Sequence, residues 1–372
     1  MKNTRQDHVE KIWWHGVKAV QGTACVAKAL VNAQVTRPDQ VIAVGKAACA
    51  MAAAVFDVFD EQVPTLVVTK YDHLAPLPAA AKVIEAAHPL PDENSLIAGY
   101  EVWKTVRQLP DNAHLLMLVS GGASALAELP VQGMTLSHLQ TETTQMLASG
   151  LDIHAMNARR KELSMIKGGK LLAEFSGELV TTLAISDVEG DSLAIIGSGL
   201  GQAPESYRYS FDPYIVASNA IARAACAHKA TSLGHKVITN QETLYADVFD
   251  LAKTIGHELR QLPAGVHIWG GEPTIVLPPD PGQGGRNQAL ALALSREISG
   301  VVGLTVLVAG TDGTDGPTDA AGGLISGVTW REEGHRALRL ADSGHFLEQQ
   351  GAVFKSGPTG TNVMDLIVAI KD

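Results

Sequence analysis

Five apolar runs of this sequence end in residues that could do chemistry on an anion. Residues 41–44 run into Gly45-Lys46. Residues 115–119 run into Ser120-Gly121-Gly122-Ala123-Ser124. Residues 179–185 run into Ser186-Asp187-Val188-Glu189-Gly190-Asp191, 266–269 into Gly270-Gly271-Glu272, and 304–309 into Gly310-Thr311-Asp312-Gly313-Thr314-Asp315-Gly316. Ligands of open α/β sheets bind at the carboxyl ends of the strands. The five junctions together imply a polar cleft of oxyanion-binding loops, basic side chains and carboxylates.

Each loop also has a plainer reading. Lys46 could be a snorkelling surface lysine, but a lysine at a helix start opposes the helix dipole, and a bound anion explains it better. Ser120 to Ser124 could be an ordinary turn, or an anion site of backbone N–H groups. Asp187 and Asp191, four apart, could cap a turn or hold a divalent cation on phosphate oxygens. Asp312, Asp315 and Asp319 suit turns as well as metal or hydroxyl binding. Gly282-Gln283-Gly284-Gly285-Arg286-Asn287 precedes a helical stretch, where arginine is a poor cap and a good phosphate ligand. His88, in His88-Pro89-Leu90-Pro91-Asp92-Glu93, divides between a turn-locking and a site role. Arg159, Arg160, Lys161 and Lys167 read as a solvated helix face. Neither GxxxxGK[ST] nor GxGxxG occurs, since Gly197, Gly199 and Gly201 have the wrong spacing, which weakens a dinucleotide reading.

These loops need a scaffold. Strands are expected at 41–44, 65–69, 82–87, 115–119, 179–185, 214–217, 236–239, 266–269, 274–277, 304–309 and 366–370. Helical spacing lies between them, at 47–59, 94–109 with Asn94 as N-cap, within 136–175, and at 220–233, 247–262, 286–298 and 331–341. This alternation predicts an α/β protein. The 372 residues suggest two domains, with a boundary between about 230 and 265, set at 1–245 and 246–372. The net charge of −10 disfavours a nucleic-acid coat. Three scattered cysteines argue against a disulfide framework and a thiolate zinc site and fit a reducing compartment. The run 47–56 is half of the roughly twenty residues a membrane span needs, and the charged start has no signal-peptide core. A cytoplasmic protein is expected.

A set of motifs then carries a family resemblance. It comprises Gly45-Lys46-Ala47-Ala48, His88-Pro89-x-Pro91-Asp92-Glu93, Ser120-Gly121-Gly122-x-Ser124-Ala125-Leu126, Asn157-x-x-Arg160-Lys161, Ile166-Lys167-Gly168-Gly169, Ser186-Asp187-Val188-x-Gly190-Asp191, Gly284-Gly285-Arg286-Asn287-Gln288, Ala309-Gly310-Thr311-Asp312-Gly313-x-Asp315-Gly316 and Thr359-Gly360-Thr361-Asn362-Val363. In this order the set resembles the glycerate kinases whose C-terminal part is the MOFRL domain. The resemblance implies two Rossmann-like α/β domains with mostly parallel sheets and an interdomain cleft. It implies an ATP-dependent D-glycerate 2-kinase using Mg²⁺. The alternatives are a non-catalytic metabolite-binding relative and a hydroxypyruvate reductase.

On this reading Lys46, Arg286 and Asp187 are catalytic. Ser120, Gly121, Gly122, Ser124, Asn157, Arg160 and Lys167 bind substrate or phosphate. Gly284, Gly285, Asn287, Thr311, Asp312, Asp315, Thr361 and Asn362 bind nucleotide. Asp187, Asp191 and Glu272 are the metal candidates. The partner is a small hydroxy acid, D-glycerate, with no nucleic acid and no membrane expected and a homo-oligomer left open. Removing Lys46 or Arg286 is expected to leave ligand-free stability unchanged or slightly raised. The sequence departs from the family pattern at Glu162, at Ala289 and in a shortened segment, 200–212, expected at the mouth of the pocket.

Overall fold

The computed structural model describes residues 4–148 and 153–372, so positions 149–152 of the expected helical stretch lie outside the described residues. Two compact units result. Unit A is Gln21–Ser218 with Gly360–Asn362; unit B holds the chain up to Val20, Asn219–Thr359 and Val363–Asp372. The division falls at Ser218/Asn219, ahead of the expected 245/246, because the strand 237–242 pairs within unit B.

Unit A contains strands β1 (Gln40–Val44), β2 (Thr65–Lys70), β3 (Ala81–Ala86), β4 (His114–Val119), β5 (Leu179–Ile185) and β6 (Ser210–Ala217). They form one sheet in the order β3-β2-β1-β4-β5-β6, with every neighbouring pair parallel. Parallel neighbours need crossovers, supplied by helices such as Ala48–Val58 and Glu93–Arg107. Every residue of β4 is buried, as expected of a strand covered on both faces. Ile42, Val44, Leu115, Met117 and Val119 join one core cluster. Helix Glu93–Arg107 is capped by Asp92, which accepts from the Ser95 N–H in a capping box. The expected cap, Asn94, instead donates to the Glu85 carbonyl at 2.9 Å. The strand order reverses at β1 and β4, and such a switch point is where α/β sheets bind ligands. Gly45-Lys46 and Ser120–Ser124 follow these two strands.

Unit B contains β7 (Val237–Glu242), β8 (Gly265–Gly271), β9 (Leu304–Gly310), β10 (Gly322–Ser326), β11 (Val353–Phe354) and β12 (Asp365–Lys371), in the order β11-β10-β9-β12-β8-β7. Only the β7–β8 pair is parallel; the other neighbours are antiparallel. The expectation of mostly parallel strands therefore fails for this sheet. The link 311–321 holds no helix to carry the chain across, so β10 returns beside β9 as its antiparallel neighbour. The last strand, β12, inserts between β8 and β9, which sets Asp365 opposite Gly271 and Gly310. The expected strand 274–277 is absent; Thr274 alone bridges Asp247. Among the described residues no helix is long and apolar enough to cross a membrane.

Candidate active site

In unit A the β1 and β4 loops interlock. Gly45 adopts a φ of 137°, and a Cβ there would stand 2.1 Å from the Ser120 hydroxyl. The Lys46 N–H donates to the Gly121 carbonyl at 2.9 Å, and the Ala47 N–H to Ser120 Oγ at 3.1 Å. The following helix starts only at Ala48. The first amides of this turn are thus committed to the protein. The half-buried Lys46 side chain is not, for among the described residues its ammonium has no carboxylate partner.

The glycine pair brings side chains onto one loop. A Cβ on Gly121 would lie 2.1 Å from Asp187 Oδ2 and 3.0 Å from Asn362 Nδ2. A Cβ on Gly122, at φ 85°, would lie 3.1 Å from the His88 ring and 3.3 Å from Lys46 Cγ. The N–H groups of Gly121 and Gly122 have no protein acceptor among the described residues. Lys46, His88, Gly121, Gly122, Asp187 and Asn362 therefore converge. The segment that follows, Ala123–Leu126, is a single turn, so the loop's own donors act here rather than a long helix dipole.

Burial, together with the positive charges of Lys46, Lys70 and Arg160, pushes His88 down to about 3. His88 is neutral at pH 7, with its ring against the Gly122 turn. Its folded value lies below its unfolded value of 6.5, so the unfolded chain binds more protons between the two. Stability is therefore lost as pH falls from about 6.5 towards 3, by up to about 1.4 kcal/mol per pH unit from this group. His88→Gln should flatten that slope in urea titrations between pH 4 and 6; an unchanged slope would show that His88 titrates freely.

Arg160 and Lys167 are not a solvated face. The Lys167 side chain is 3% exposed and forms an ion pair with Glu128, itself 3% exposed. Glu128 also accepts from the Ser164 hydroxyl and, at 2.9 Å, from the Leu129 N–H. Burial pulls Lys167 down, and Glu128 works the other way. Burial likewise lowers Arg160, again opposed by Glu128. Lys167 is thereby committed to the fold rather than to a ligand. Glu128 has one signal in the sequence, a lone charge in the apolar stretch 123–130. Glu128→Ala should cost about 3 kcal/mol or more, since it strands a buried ammonium, whereas Glu128→Leu with Lys167→Met should cost clearly less. Denaturant midpoints decide, and equal losses would contradict the pairing. Arg159 is a surface residue, bonded to Glu142 and Glu162.

In unit B, Arg286 opens the helix Arg286–Glu297. Its Nε donates to Asp365 Oδ2 at 2.8 Å, and one terminal nitrogen donates to Glu272 Oε1 at 2.6 Å. Asp365 is 4% exposed in its side chain and Arg286 33%. Burial acts to lower Arg286, but Asp365 and Glu272 outweigh it and raise its pKa. Asp315 caps this helix: Oδ1 accepts from the Asn287 N–H at 2.9 Å and Oδ2 from the Gln288 N–H at 2.8 Å. Burial pushes its carboxyl up to about 7, against these two donors. Gly285 makes room, since a Cβ there would sit 2.3 Å from Asp315 Cγ.

Thr311 is fully buried, its hydroxyl donating to the Met364 carbonyl at 2.6 Å and accepting from the Val363 N–H at 2.9 Å. Both Asp315 and Thr311, expected at the nucleotide, are spent on the fold. Asp312 accepts from the Thr314 N–H at 2.9 Å in a turn. Asn287 is buried, and its Oδ1 has no partner among the described residues. Gly284 packs on Ser343. In unit B Glu272 is ion-paired with Arg286; in unit A Thr361 is buried and Asp191 half-buried. The segment 200–212 is no simple mouth: Leu200, Ala203 and Tyr209 belong to the core.

Residues 8–223 match a family described as a domain of unknown function, DUF4147, and residues 265–365 match the MOFRL family. The chain is 36% identical to the glycerate 2-kinase of Pyrococcus horikoshii over 89% of this chain and 86% of that one. It is 35% identical to the D-glycerate 2-kinase of Thermotoga maritima over 88% and 89%. A protein of Agrobacterium vitis that bears a hydroxypyruvate reductase name is also 35% identical, over 88% and 97%. The crystal structure of a glycerate kinase from Thermotoga maritima matches with a TM-score of 0.89 at 31% identity, covering 99% of each chain. The chain belongs to the MOFRL-domain glycerate kinase family.

Proposed function

We propose that this protein transfers the γ-phosphoryl group of ATP to the 2-hydroxyl of D-glycerate, giving 2-phosphoglycerate and ADP. The observation that carries the reading is the unit A loop. There, among the described residues, an ammonium without a carboxylate partner after β1 and two glycine N–H groups without acceptors after β4 lie beside the Asp187 carboxylate after β5. Phosphoryl transfer asks for little else: positioning, charge neutralisation and a group to orient the nucleophile. Lys46 and the Gly121 and Gly122 amides take up the charge on the transferring group. Asp187 orients the 2-hydroxyl and receives its proton as the new O–P bond forms and the β,γ-bridge bond breaks. Arg286 neutralises anionic oxygens through the guanidinium edge left by Asp365 and Glu272.

Mg²⁺, when bound, spreads the charge of the phosphate oxygens. Among the described residues no three His, Cys, Asp or Glu side chains group into a metal cage. A nucleotide-borne Mg²⁺ keeps waters and phosphate oxygens and needs only one or two carboxylates. Asp187, with Asp191 four residues on, fits that demand. Full chelation is expected to abolish turnover and added Mg²⁺ to restore it.

The names of some relatives and the sheet order of unit A favour a second reading, an NAD(P)-dependent hydroxypyruvate reductase. The first turn speaks against it. The amides that cradle a pyrophosphate in dinucleotide sites are here bonded to Gly121 and Ser120. ADP release with D-glycerate, run beside NADH oxidation with hydroxypyruvate, separates the two; NADH oxidation alone would overturn the kinase reading. The three cysteines are scattered, free and buried, a usage that suits a reducing, cytoplasmic setting.

A further inference from the structure

Three of the sequence motifs meet at a residue that none of them contains. Ser198 lies in the turn Gly197-Ser198-Gly199, with φ values of 54°, 56° and 76°. A serine in this left-handed region is uncommon. The turn is braced by the Gly168 N–H donating to the Ser198 carbonyl at 2.9 Å and the Gly169 N–H donating to the Gly199 carbonyl at 3.1 Å. Ser198 is 1% exposed. Its hydroxyl lies 2.7 Å from Asn157 Oδ1 and 2.9 Å from Ser124 Oγ.

The direction of these bonds follows from counting protons. A hydroxyl has one proton, and an amide oxygen can only accept. Ser198 therefore donates to Asn157, and Ser124 must donate to Ser198. Ser124 is left with lone pairs alone, and Asn157 with its amide N–H groups. Asn157 is 4% exposed, and its Nδ2 has no hydrogen-bond partner among the described residues. A buried donor without an acceptor is costly, and a ligand oxygen would satisfy it. Arg160 lies one helical turn along the same face and lines, with Ser124, a cavity of about 20 Å³.

We propose that Ser198 is a positioning residue that sets the polarity of this corner, holding Ser124 as an acceptor for the 3-hydroxyl of the hydroxy acid and Asn157 as a donor to one of its oxygens. The inference rests on the kinase reading above, in which Asp187 takes the 2-hydroxyl. A site built to bond a substrate hydroxyl rejects the analogue lacking it. D-lactate, which keeps the 2-hydroxyl and lacks the 3-hydroxyl, is the matching probe.

The test compares kcat and KM for D-glycerate and D-lactate in the wild type, Ser198→Gly, Ser124→Ala and the double variant. Glycine accepts the left-handed φ, so Ser198→Gly removes the hydroxyl without backbone strain. Wild type should prefer D-glycerate by about 10²-fold or more. Ser198→Gly should lose about tenfold in kcat/KM for D-glycerate, mostly through KM, with D-lactate changed less than about threefold, and the double variant should match the worse single. Equal losses on both substrates, no loss on either, or a wild type indifferent to the 3-hydroxyl would overturn the proposal and leave the kinase reading standing. A wild type that phosphorylates neither acid overturns both.

Discussion

Lys46→Ala turns over D-glycerate with kcat/KM lowered by about 10²-fold or more, while its denaturant midpoint stays at or slightly above that of the parent. Groups that stabilise charge developing in a transition state are worth about 3 kcal/mol each. Lys46 sits where that charge would be, against Gly122 and beside the neutral His88. Stability is spared because no carboxylate in the described residues is paired with Lys46, and because its charge acts on His88 in the same unfavourable sense as Lys70 and Arg160. Millimolar inorganic phosphate should raise the melting temperature of the parent and leave that of the variant unchanged. Near-parental activity with a lowered midpoint would make Lys46 a structural residue.

Arg286→Ala loses activity to a similar degree, and for a different reason it also loses stability. Asp365 is buried at the start of β12 and holds Arg286 through Nε. Removing one member of such a pair leaves an unpaired buried charge and costs about 3–5 kcal/mol; the half-exposed Glu272 adds little to that figure. The expectation from sequence that ligand-free stability would hold or rise is thus reversed for Arg286, while it stands for Lys46. Arg286→Lys keeps a charge near Asp365 without the planar fork. It should recover most of the midpoint and little of the activity, with kinetics taken where each variant is folded. A parental midpoint for Arg286→Ala would show that Asp365 does not depend on this arginine.

The contrast between these two cations shows where reading the sequence reaches and where it stops. Glycine and hydroxyl residues after buried runs located the β1 and β4 loops because strand ends and turns are local features. The roles of Lys167 and Arg286 depend on carboxylates 39 and 79 residues away, Glu128 and Asp365, which no local pattern connects to them. Asp315 had the spacing of a turn ligand, yet its oxygens cap a helix that begins 29 residues earlier in the chain.

The fold divides in the same way. The β-branched strands of unit A were legible, and the helices Thr4–Ala19 and Gly22–Asn32 escaped notice. So did β10, which opens on two glycines, and the two-residue β11. The apolar run 274–277 imitated a strand, although Val276 is 86% exposed and only Thr274 finds a neighbour. Pairing partners, rather than propensity, decided these cases.

Transfer of a phosphoryl group to one particular oxygen is reported directly by the phosphorus spectrum of the product. Purified protein, ATP, Mg²⁺ and D-glycerate are incubated to completion, and the product is read without proton decoupling. The expected product is 2-phosphoglycerate, with its phosphorus resonance split into a doublet by the single proton on C2, where an ester on C3 would give the triplet of two protons. A product with phosphate on the 3-hydroxyl, or ATP left intact while D-glycerate is recovered unchanged, would contradict it.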